Sequence, residues 1–247
     1  MNFTNKTAIV TGASSGFGYE TALGLANAGA KVFAVARRAD RLQNLAKQNA
    51  NIVPVVLDVT QDLKPLQTAI ANSSIDILVN NAGLAWGKES VENAPREKWE
   101  TMIDTNVKAL IAMTQLVVPQ MIVQKSGDIV NVGSIAGFEF YQGGAAYCAT
   151  KAAVHALTKA WRDDLCGKGI RVIGIHPGAA ETEFSLVRFD GDKSKSDDVY
   201  RGMKPLSATD VAQSIIWSLS CPRHVNIESM VIMPTDQASV FHVHRQS

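Results

Sequence analysis

Tyr147 and Lys151 stand four positions apart in a stretch whose residues favour a helix. Positions four apart lie on one helical face, one turn from each other, so the lysine ammonium could stabilise the phenolate form of the tyrosine. A free tyrosine, with a pKa of about 10, is a poor base at neutral pH, and a neighbouring cation lowers that pKa. The pair alone also fits an amphipathic helix with a half-buried tyrosine and a solvated lysine, so its role depends on its surroundings.

Ser134 adds a hydroxyl group that could act with this pair. It follows the apolar run 129–132, which predicts a buried strand, and a glycine-rich loop returns the chain to the helix of Tyr147. A hydroxyl, a phenol and an amine at one point could exchange a proton with a substrate oxygen while the attached carbon is oxidised or reduced. The three residues are therefore candidates for redox chemistry between a carbonyl and a hydroxyl group.

Seven short apolar runs alternate with longer segments of helical periodicity, and these elements must bring the three groups together. Strands are predicted at 7–10, 31–36, 52–57, 75–79, 128–132, 171–175 and 230–233. Helices are predicted near 18–28, 39–48, 63–71, 96–124, 146–168 and 208–219. This alternation predicts an α/β fold, a doubly wound parallel seven-stranded sheet with ligands at the carboxyl ends of its strands. We expect residues 1–247 to form a single domain of this kind.

The segment 11–18, TGASSGFG, directly follows the first predicted strand and precedes the first helix. Glycines at this spacing let the backbone approach a pyrophosphate, and the amide groups and dipole of the helix favour its negative charge. We therefore predict a Rossmann-like dinucleotide site, although glycines in such a turn can also serve packing alone. The candidate contacts in this segment, which we call the phosphate turn, are Gly12, Ser14, Ser15, Gly16, Phe17 and Gly18.

The second predicted strand leads into Arg37 and Arg38, with no acidic residue in reach. An acid at this place would accept hydrogen bonds from the adenosine ribose, whereas an arginine pairs with a 2′-phosphate. The sequence thus predicts NADP(H) as cofactor, with Arg37 as the leading phosphate contact and Arg38 stacking or assisting. The alternative is two surface arginines at the end of a strand.

Two later strand ends complete the predicted cofactor site. Asp58, followed by Val59, could accept a hydrogen bond from the adenine amino group or could cap the next helix. Asn81, Ala82 and Gly83 follow the fourth predicted strand. Their small size would allow close contact with the cofactor ribose, while the asparagine amides could equally brace neighbouring strands.

Bulk composition limits the classes of partner. The chain carries 24 basic and 23 acidic residues, a formal net charge of +1, and no basic stripe, so no nucleic-acid surface is expected. No apolar run reaches the roughly 18 to 20 residues of a membrane span, and no signal sequence is apparent, so no membrane partner is expected. Three widely spaced cysteines argue against a disulfide framework or a metal site and suit a reducing compartment. We expect a cytoplasmic protein that acts on small molecules.

Taken together, these motifs resemble the short-chain dehydrogenase/reductase family over nearly the whole chain. The matching residues are TGASSGFG at 11–18, DV at 58–59, NNAG at 80–83, Asn106, Ser134, Tyr147 with Lys151, and Pro177-Gly178 followed by Thr182. NNAGLA, WETMIDTN, TEFS with VRF and the terminal VHRQ further resemble the NADP-dependent 3-hydroxy acid dehydrogenases that act on serine and allo-threonine. The resemblance implies an NADP-dependent oxidoreductase acting on a CH–OH group, assembled through its long helices into a homotetramer or homodimer.

The resemblance also implies a role for each matching side chain. Tyr147 would be the general acid-base, Ser134 would bind the same substrate oxygen, and Lys151 would lower the tyrosine pKa and bind the nicotinamide ribose. Asn106, a residue type that is mildly unfavourable inside a helix, would hold a water that links Lys151 to solvent. The nicotinamide would be contacted by Pro177, Gly178 and Thr182.

Two positions depart from the family pattern. Many NADP-using relatives have a basic residue where Ser15 stands, so phosphate selection would rest on Arg37 and Arg38. Ala180 stands where a bulkier aliphatic residue is common, which predicts a looser turn after Pro177.

Substrate specificity is expected to come from residues 183–200, which we call the substrate segment, and from aromatic side chains near the strand ends. Within this segment, 190–198 is polar and is predicted to be a solvated loop or a lid. Arg188 could hold a carboxylate or sulfonate in bidentate fashion, unless it is a solvated loop residue. This predicts a small anionic substrate, a 3-hydroxy acid or its 3-oxo partner. The candidate substrate contacts are Trp86, Phe140, Phe184 and Arg188.

Other functions fit the same residues. A reductase of this fold could act on a sulfonated aldehyde such as sulfoacetaldehyde, on a 3-oxoacyl thioester or on a sugar ketone. A non-enzymatic NADP(H) sensor could also use the fold, although a sensor has no need of the proton-handling side chains. A last expectation concerns His242, His244 and Arg245 in the tail, which would reach a neighbouring subunit or fray.

Overall fold

The structure, a computed structural model, describes residues 1–246. Seven parallel strands form one sheet in the order β3-β2-β1-β4-β5-β6-β7. The strands are β1 (Thr7–Thr11), β2 (Lys31–Ala36), β3 (Ile52–Val56), β4 (Ile77–Asn80), β5 (Gly127–Val132), β6 (Ile170–Pro177) and β7 (Ser229–Ile232). The predicted doubly wound, Rossmann-like fold is confirmed, and each predicted strand begins and ends within two residues of its observed bounds.

Helices cover both faces of this sheet. They are α1 (Gly16–Asn27), α2 (Ala39–Ala46), α3 (Lys64–Ile70), α4 (Arg96–Ile103), α5 (Ala109–Gln124), α6 (Ala145–Asp164), α7 (Glu183–Arg188), α8 (Lys193–Asp198) and α9 (Ala208–Ser220). A π-helical turn, Asp104–Lys108, joins α4 to α5 without a break, and a 3-10 turn, Ile135–Gly137, follows β5.

Successive strand residues alternate between two cores, one on each face of the sheet. Ala8 and Val10 of β1 belong to the core that contains Leu25 of α1 and Ile215 of α9. Ile9, between them, belongs to the core built against α5. Because both faces are buried, the strands appear in the sequence as continuous apolar runs. This is why their positions could be predicted closely.

The predicted helix 96–124 is one helical stretch with the π turn inside it. Met113, Val117 and Met121 of α5 are buried in the core beside the sheet. By length and hydropathy alone the stretch is long and apolar enough to cross a membrane. The core helix of a globular domain passes the same test, and the packing of these side chains against the strands identifies it as such a helix.

Two short helices lie in the substrate segment, where 190–198 was predicted to be a solvated loop or a lid. The loop alternative is wrong for Lys193–Asp198, because Asp192 caps α8, its carboxylate accepting a hydrogen bond from the Lys195 amide at 3.1 Å. The role of a lid stays a prediction. A second correction concerns α6, which ends at Asp164 rather than at 168. Gly167 and Gly169 follow with left-handed backbone angles, φ 76° and 74°, which a continuing helix cannot accommodate.

Candidate active site

A cavity of about 820 Å³ opens at the carboxyl ends of the central strands. The strand order reverses here, with β1 leading towards β2 and β3 on one side and β4 leading towards β5 on the other. Doubly wound sheets bind their ligands at this switch point. Every cofactor contact predicted from the sequence lines the cavity except Gly18, which is packed behind it.

The phosphate turn has the shape that a pyrophosphate needs. Gly12 and Gly16 adopt left-handed angles, φ 68° and 54°. A side chain on Gly12 would come within 2.7 Å of the Asn81 Nδ2, and one on Gly18 within 2.5 Å of the Gly12 carbonyl oxygen. Within the described chain no side chain caps the first amide groups of α1. The turn therefore presents N–H donors without side-chain bulk, which fits a bound phosphate group.

Thr11 fastens this turn to the loop that follows β4. Its hydroxyl accepts hydrogen bonds from the backbone amides of Asn81 and Ala82, at 3.0 and 2.9 Å. The Asn81 side chain in turn donates to the Thr11 carbonyl at 2.8 Å. The bracing role that was one of two predictions for this asparagine is therefore present, and it leaves Ala82 and Gly83 on the cavity wall.

Arg38, rather than Arg37, is the arginine held against the phosphate turn. The Arg38 guanidinium donates to the hydroxyl groups of Ser14, at 2.9 and 3.0 Å, and Ser15, at 2.7 Å. It also pairs with Glu183 of the substrate segment, which in turn pairs with Arg41 of α2. Arg37 is 72% exposed and has Asp58 as its ionic neighbour, 3.8 Å away. Arg41 was not predicted from the sequence. Its position three residues after Arg38, one helical turn along α2, could have indicated that both arginines face the same side.

The carboxylate of Asp58 is used within its own turn. Its Oδ1 accepts hydrogen bonds from the amide and the hydroxyl of Thr60, at 3.0 and 2.8 Å. Burial acts against ionisation of Asp58, but these bonds and the charge of Arg37 outweigh it and hold its pKa below the usual value. The predicted cap of the next helix is not present, because α3 begins at Lys64 and its N-cap residue is Leu63. The predicted contact with the adenine amino group stays a prediction.

Ser134, Tyr147 and Lys151 converge on the cavity as the sequence predicted. Ser134 begins the 3-10 turn after β5, where its Oγ accepts a hydrogen bond from the Ala136 amide at 3.1 Å. Tyr147 and Lys151 lie on α6 and are 8% and 6% exposed. The Lys151 ammonium donates to the Val132 carbonyl at 2.9 Å and lies 5.9 Å from the centre of the Tyr147 ring.

The pKa of Tyr147 differs from the sequence prediction in direction. Burial raises it well above the ordinary value and the neighbouring Tyr141 adds to this, against the hydrogen bond with Ser134 and the charge of Arg188, which lower it. Burial also lowers the pKa of Lys151, from 10.5 to about 8. Lys151 is not among the groups that lower the pKa of Tyr147. Its ammonium donates to the Val132 carbonyl and lies 5.9 Å from the centre of the tyrosine ring.

Asn106 lies in the π turn, behind the cavity wall. Its side-chain amide donates to the Leu84 carbonyl at 2.8 Å and to the Thr150 hydroxyl at 3.0 Å, and its Oδ1 accepts from the Leu84 amide at 2.8 Å. The side chain therefore pins the loop after β4 to α6, the helix that carries Tyr147. Asn106 therefore has a positioning role, and its predicted role of holding a water beside Lys151 stays a prediction.

The substrate end of the cavity is formed by Arg188, Tyr141 and Phe184. The Arg188 guanidinium donates to the Tyr141 hydroxyl at 2.7 Å and lies 5.7 Å from the centre of the Tyr147 ring. The Phe184 ring is centred 5.6 Å from the same tyrosine ring. Tyr141 was missed because it stands in an irregular loop, where no periodicity indicates which way a side chain points.

Two predicted substrate contacts lie elsewhere. Phe140 is 62% exposed and does not line the cavity, because the loop turns its neighbour Tyr141 inward instead. Trp86 packs behind the wall and donates its indole N–H to Asp190. The aromatic side chains that line the cavity are three tyrosines and three phenylalanines: Tyr141, Tyr147, Tyr200, Phe17, Phe184 and Phe189.

The chain after β6 and the tail close the remaining side. Pro177 ends β6, and Thr182 caps α7 by accepting a hydrogen bond from the Phe184 amide at 3.2 Å. The looser turn predicted at Ala180 is not present, since its carbonyl accepts from the Tyr200 hydroxyl at 2.8 Å. Gly178 is fixed by a hydrogen bond from its amide to the Ile232 carbonyl at 2.7 Å.

The tail is folded back onto its own chain as far as residue 246, so the predicted fraying is not present there. Its predicted contact with a neighbouring subunit stays a prediction. Arg245 donates to the carbonyls of Val199 and Arg201 at the end of α8 and lines the cavity. His242 and His244 lie in the same folded-back turn and bond through their backbones, His244 donating to the Asp236 carbonyl at 2.7 Å. The backbone carbonyls that follow α8 therefore hold Arg245, and with it the tail, beside the cavity.

Known proteins are similar to this chain in sequence and in fold. The chain matches the short chain dehydrogenase family over residues 6–192. It is 41% identical to the NADP-dependent 3-hydroxy acid dehydrogenase of Schizosaccharomyces pombe, over 98% of this chain and 97% of that protein. It is 43% identical to sulfoacetaldehyde reductase 2 of Chromohalobacter salexigens, over 96% of this chain and 98% of that protein. Among solved structures, the closed form of a serine dehydrogenase complexed with NADP+ is similar, with a TM-score of 0.92 and 42% identity over 97% of this chain and 100% of that one.

A nucleotide-binding α/β fold with a serine, tyrosine and lysine at its switch point defines a class of oxidoreductases. This chain belongs to the short-chain dehydrogenase family, and the resemblance inferred from the sequence is confirmed.

Proposed function

We propose that the chain is an NADP(H)-dependent oxidoreductase that interconverts a small 3-hydroxy acid, of the serine or allo-threonine type, and its 3-oxo partner. The observation that carries this proposal is the position of Arg188, whose guanidinium lies 5.7 Å from the centre of the Tyr147 ring. A carboxylate bound by this guanidinium would leave an oxygen on the third carbon within reach of the tyrosine hydroxyl. The activities named for the similar proteins support the same substrate class.

The residues present fit NADP(H). The phosphate turn would bind the pyrophosphate, Arg38 and Arg37 the 2′-phosphate, and Lys151 the ribose next to the nicotinamide. When bound, the nicotinamide supplies the hydride acceptor or donor.

The chain's own residues handle the proton. Tyr147 gives a proton to the substrate oxygen in reduction and takes it back in oxidation, and the Ser134 hydroxyl holds that oxygen beside the phenol. Lys151 reaches this point because its ammonium is anchored to the Val132 carbonyl, at the end of β5. Asn106 keeps α6 and the loop after β4 in register, so the phenol stays aimed at the cavity.

A substrate panel tests the proposal. Purified protein is assayed in both directions with NADP(H) and NAD(H) on serine, allo-threonine, other 3-hydroxy acids and neutral alcohols and ketones. The proposal expects turnover of the hydroxy acids with NADP(H). Binding of NADPH without turnover of any substrate would indicate a sensor instead.

The first variant to combine with the panel is Arg188→Ala. It is expected to raise KM for acidic substrates by about 10- to 100-fold and to change kcat less, because a charge-assisted bond of about 1.5–3 kcal/mol is lost from ground and transition state alike. Arg201→Ala is the matched control, since that arginine is 77% exposed and its ionic neighbour is Asp198. Unchanged KM values for every acidic substrate in Arg188→Ala would contradict the assignment.

Cofactor selection is tested at the two arginines after β2. Arg38→Ala is expected to raise KM for NADPH by about 10-fold or more and to leave KM for NADH nearly unchanged, because Arg38 is held against the phosphate turn. Arg37→Ala should have the smaller effect, since its side chain is 72% exposed. If steady-state assays show a larger rise in KM for NADPH in Arg37→Ala than in Arg38→Ala, Arg37 is the main contact of the 2′-phosphate.

A sulfonated aldehyde is the second candidate substrate. The fork of the Arg188 guanidinium binds a sulfonate as well as a carboxylate, and sulfoacetaldehyde reductase 2 is among the similar proteins. In the panel, NADPH-dependent reduction of sulfoacetaldehyde with a higher kcat/KM than any 3-oxo acid would favour this activity.

We further propose that the chain forms a homotetramer or homodimer through its long helices. Val123 on α5 is 84% exposed and Ile122 37% exposed, apolar surface that a second copy could cover. Light scattering on the purified protein gives the number of copies. The three unpaired cysteines of the described chain are consistent with a cytoplasmic location, which subcellular fractionation would test.

A further inference from the structure

Glu183, the first residue of α7, is held between two arginines of the opposite wall. Its Oε2 accepts a hydrogen bond from Arg38 at 2.8 Å and its Oε1 accepts one from Arg41 at 2.5 Å. Each oxygen of the carboxylate therefore engages a different guanidinium. These contacts join the substrate segment to α2 across the mouth of the cavity.

The same Arg38 guanidinium reaches the phosphate turn. It bonds the hydroxyl groups of Ser14 and Ser15 beside the start of α1. Burial acts against ionisation of Glu183, but the hydrogen bonds from Arg38 and Arg41 outweigh it and hold the pKa of the carboxyl below its usual value. At neutral pH an anion of the protein thus occupies cations that stand where the adenosine end of a dinucleotide binds.

We propose that Glu183 is an internal counter-ion of the 2′-phosphate site, and that the 2′-phosphate of NADP(H) competes with its carboxylate for Arg38 and Arg41. Two anions cannot share the same donors without strong repulsion, so binding of the phosphate releases α7 from α2. NAD(H), which has a hydroxyl group in place of the phosphate, leaves the tether in place. The inference rests on the proposed NADP(H) site and adds Arg41 and Glu183 to it as residues that set cofactor specificity.

The test is the affinity of Glu183→Gln for each cofactor. Glutamine keeps the size of the side chain and removes the charge. Kd for NADP+ in isothermal titration calorimetry is expected to fall by about 3- to 10-fold, a modest range because the ion pairs are partly exposed. Kd for NAD+ should change by less than about twofold, because NAD+ does not compete for the two arginines.

Glu181→Gln is the matched control. It makes the same change two positions away, at an exposed residue, and so carries the same loss of charge without the contacts to the arginines. Its Kd for NADP+ should stay within about twofold of the wild type. The proposal is overturned if Glu183→Gln leaves Kd for NADP+ unchanged, weakens it, or alters NADP+ and NAD+ equally. Equal effects of the two variants would also overturn it.

A second readout follows the tether itself. Hydrogen exchange at the amides of residues 183–188 is measured with 2′,5′-ADP, which carries the phosphate but no nicotinamide, and with 5′-AMP. Exchange should increase with 2′,5′-ADP and in unliganded Glu183→Gln, and should not change with 5′-AMP. Exchange that is the same in all three states would overturn the release of α7. Failure of the wild type to bind NADP+ at all would instead refute the proposed function.

Discussion

Replacing Tyr147 by phenylalanine is expected to lower kcat about 1,000-fold in both directions, while Kd for NADPH changes by about twofold at most. The phenol is the group placed to exchange a proton with the substrate oxygen, and phenylalanine keeps the ring that packs 5.6 Å from Phe184. The fold and the cofactor site are therefore retained. Steady-state rates and NADPH fluorescence titrations measure the two quantities separately.

Tyr141→Phe is the matched control for this variant, since Tyr141 lines the same cavity and its hydroxyl bonds Arg188. Its kcat should fall by less than about 10-fold, because it orients the guanidinium and does not face the reacting oxygen. The pH dependence gives a further check. Burial raises the pKa of Tyr147, so oxidation, which needs the phenolate, should become faster as pH rises in the wild type. If Tyr141→Phe were the more damaging change, the roles of the two tyrosines would be reversed.

Lys151→Met is expected to lower kcat about 100-fold or more and, at the same time, to make the protein more stable at pH 7. Lys151 is 6% exposed and its ammonium donates to the Val132 carbonyl. It is the residue proposed to bind the ribose next to the nicotinamide, so its loss should misplace the hydride donor or acceptor. A charged amine in such a place is poorly solvated, which is why burial lowers its pKa from 10.5 to about 8. Methionine has a similar length and no charge to desolvate.

The gain in stability should depend on pH with a definite sign. Below about pH 8 the folded wild type keeps a buried charge, so Lys151→Met should raise the free energy of unfolding by about 1–3 kcal/mol. Between about pH 8 and 10.5 the unfolded wild type binds more protons than the folded form, so its stability rises with pH and the difference shrinks. Urea unfolding of both proteins at pH 7 and 10 measures this. Lys159→Met, on the exposed part of the same helix, should show neither effect.

The residues whose positions could be predicted from the sequence are those that belong to a short, regular pattern of the chain. Buried strands read as apolar runs, and the glycines of the phosphate turn stand where left-handed angles and close contacts leave no room for a side chain, as at Gly12. Tyr147 and Lys151 were found because helical spacing alone places them on one face. Each of these signals lies within about ten residues of chain.

The residues that sequence missed depend on contacts between distant segments. Glu183 meets Arg38 and Arg41 across more than 140 positions of chain, and nothing local to any of the three predicts the meeting. The orientation of Tyr141, and the burial that raises the pKa of Tyr147, also depend on distant segments that form the cavity wall only in the folded protein. The helix α8 is a different case, because the capping signal of Asp192 is present in the sequence but stands among polar residues that resemble a loop.

The π turn before α5 has a consequence for the phase of the whole helical stretch. A π turn takes one residue more than an α turn, and in an α-helix each residue rotates by about 100°. Residues after Lys108 are therefore rotated relative to an uninterrupted helix that began at Arg96. Met102 faces the cluster around Tyr147, whereas Met113 and Val117 face the core beside the sheet. In an uninterrupted α-helix of the same sequence, Met102 and Met113, eleven positions apart, would lie on nearly the same face. The π turn rotates the two faces apart, so one helical stretch serves both the site and the sheet.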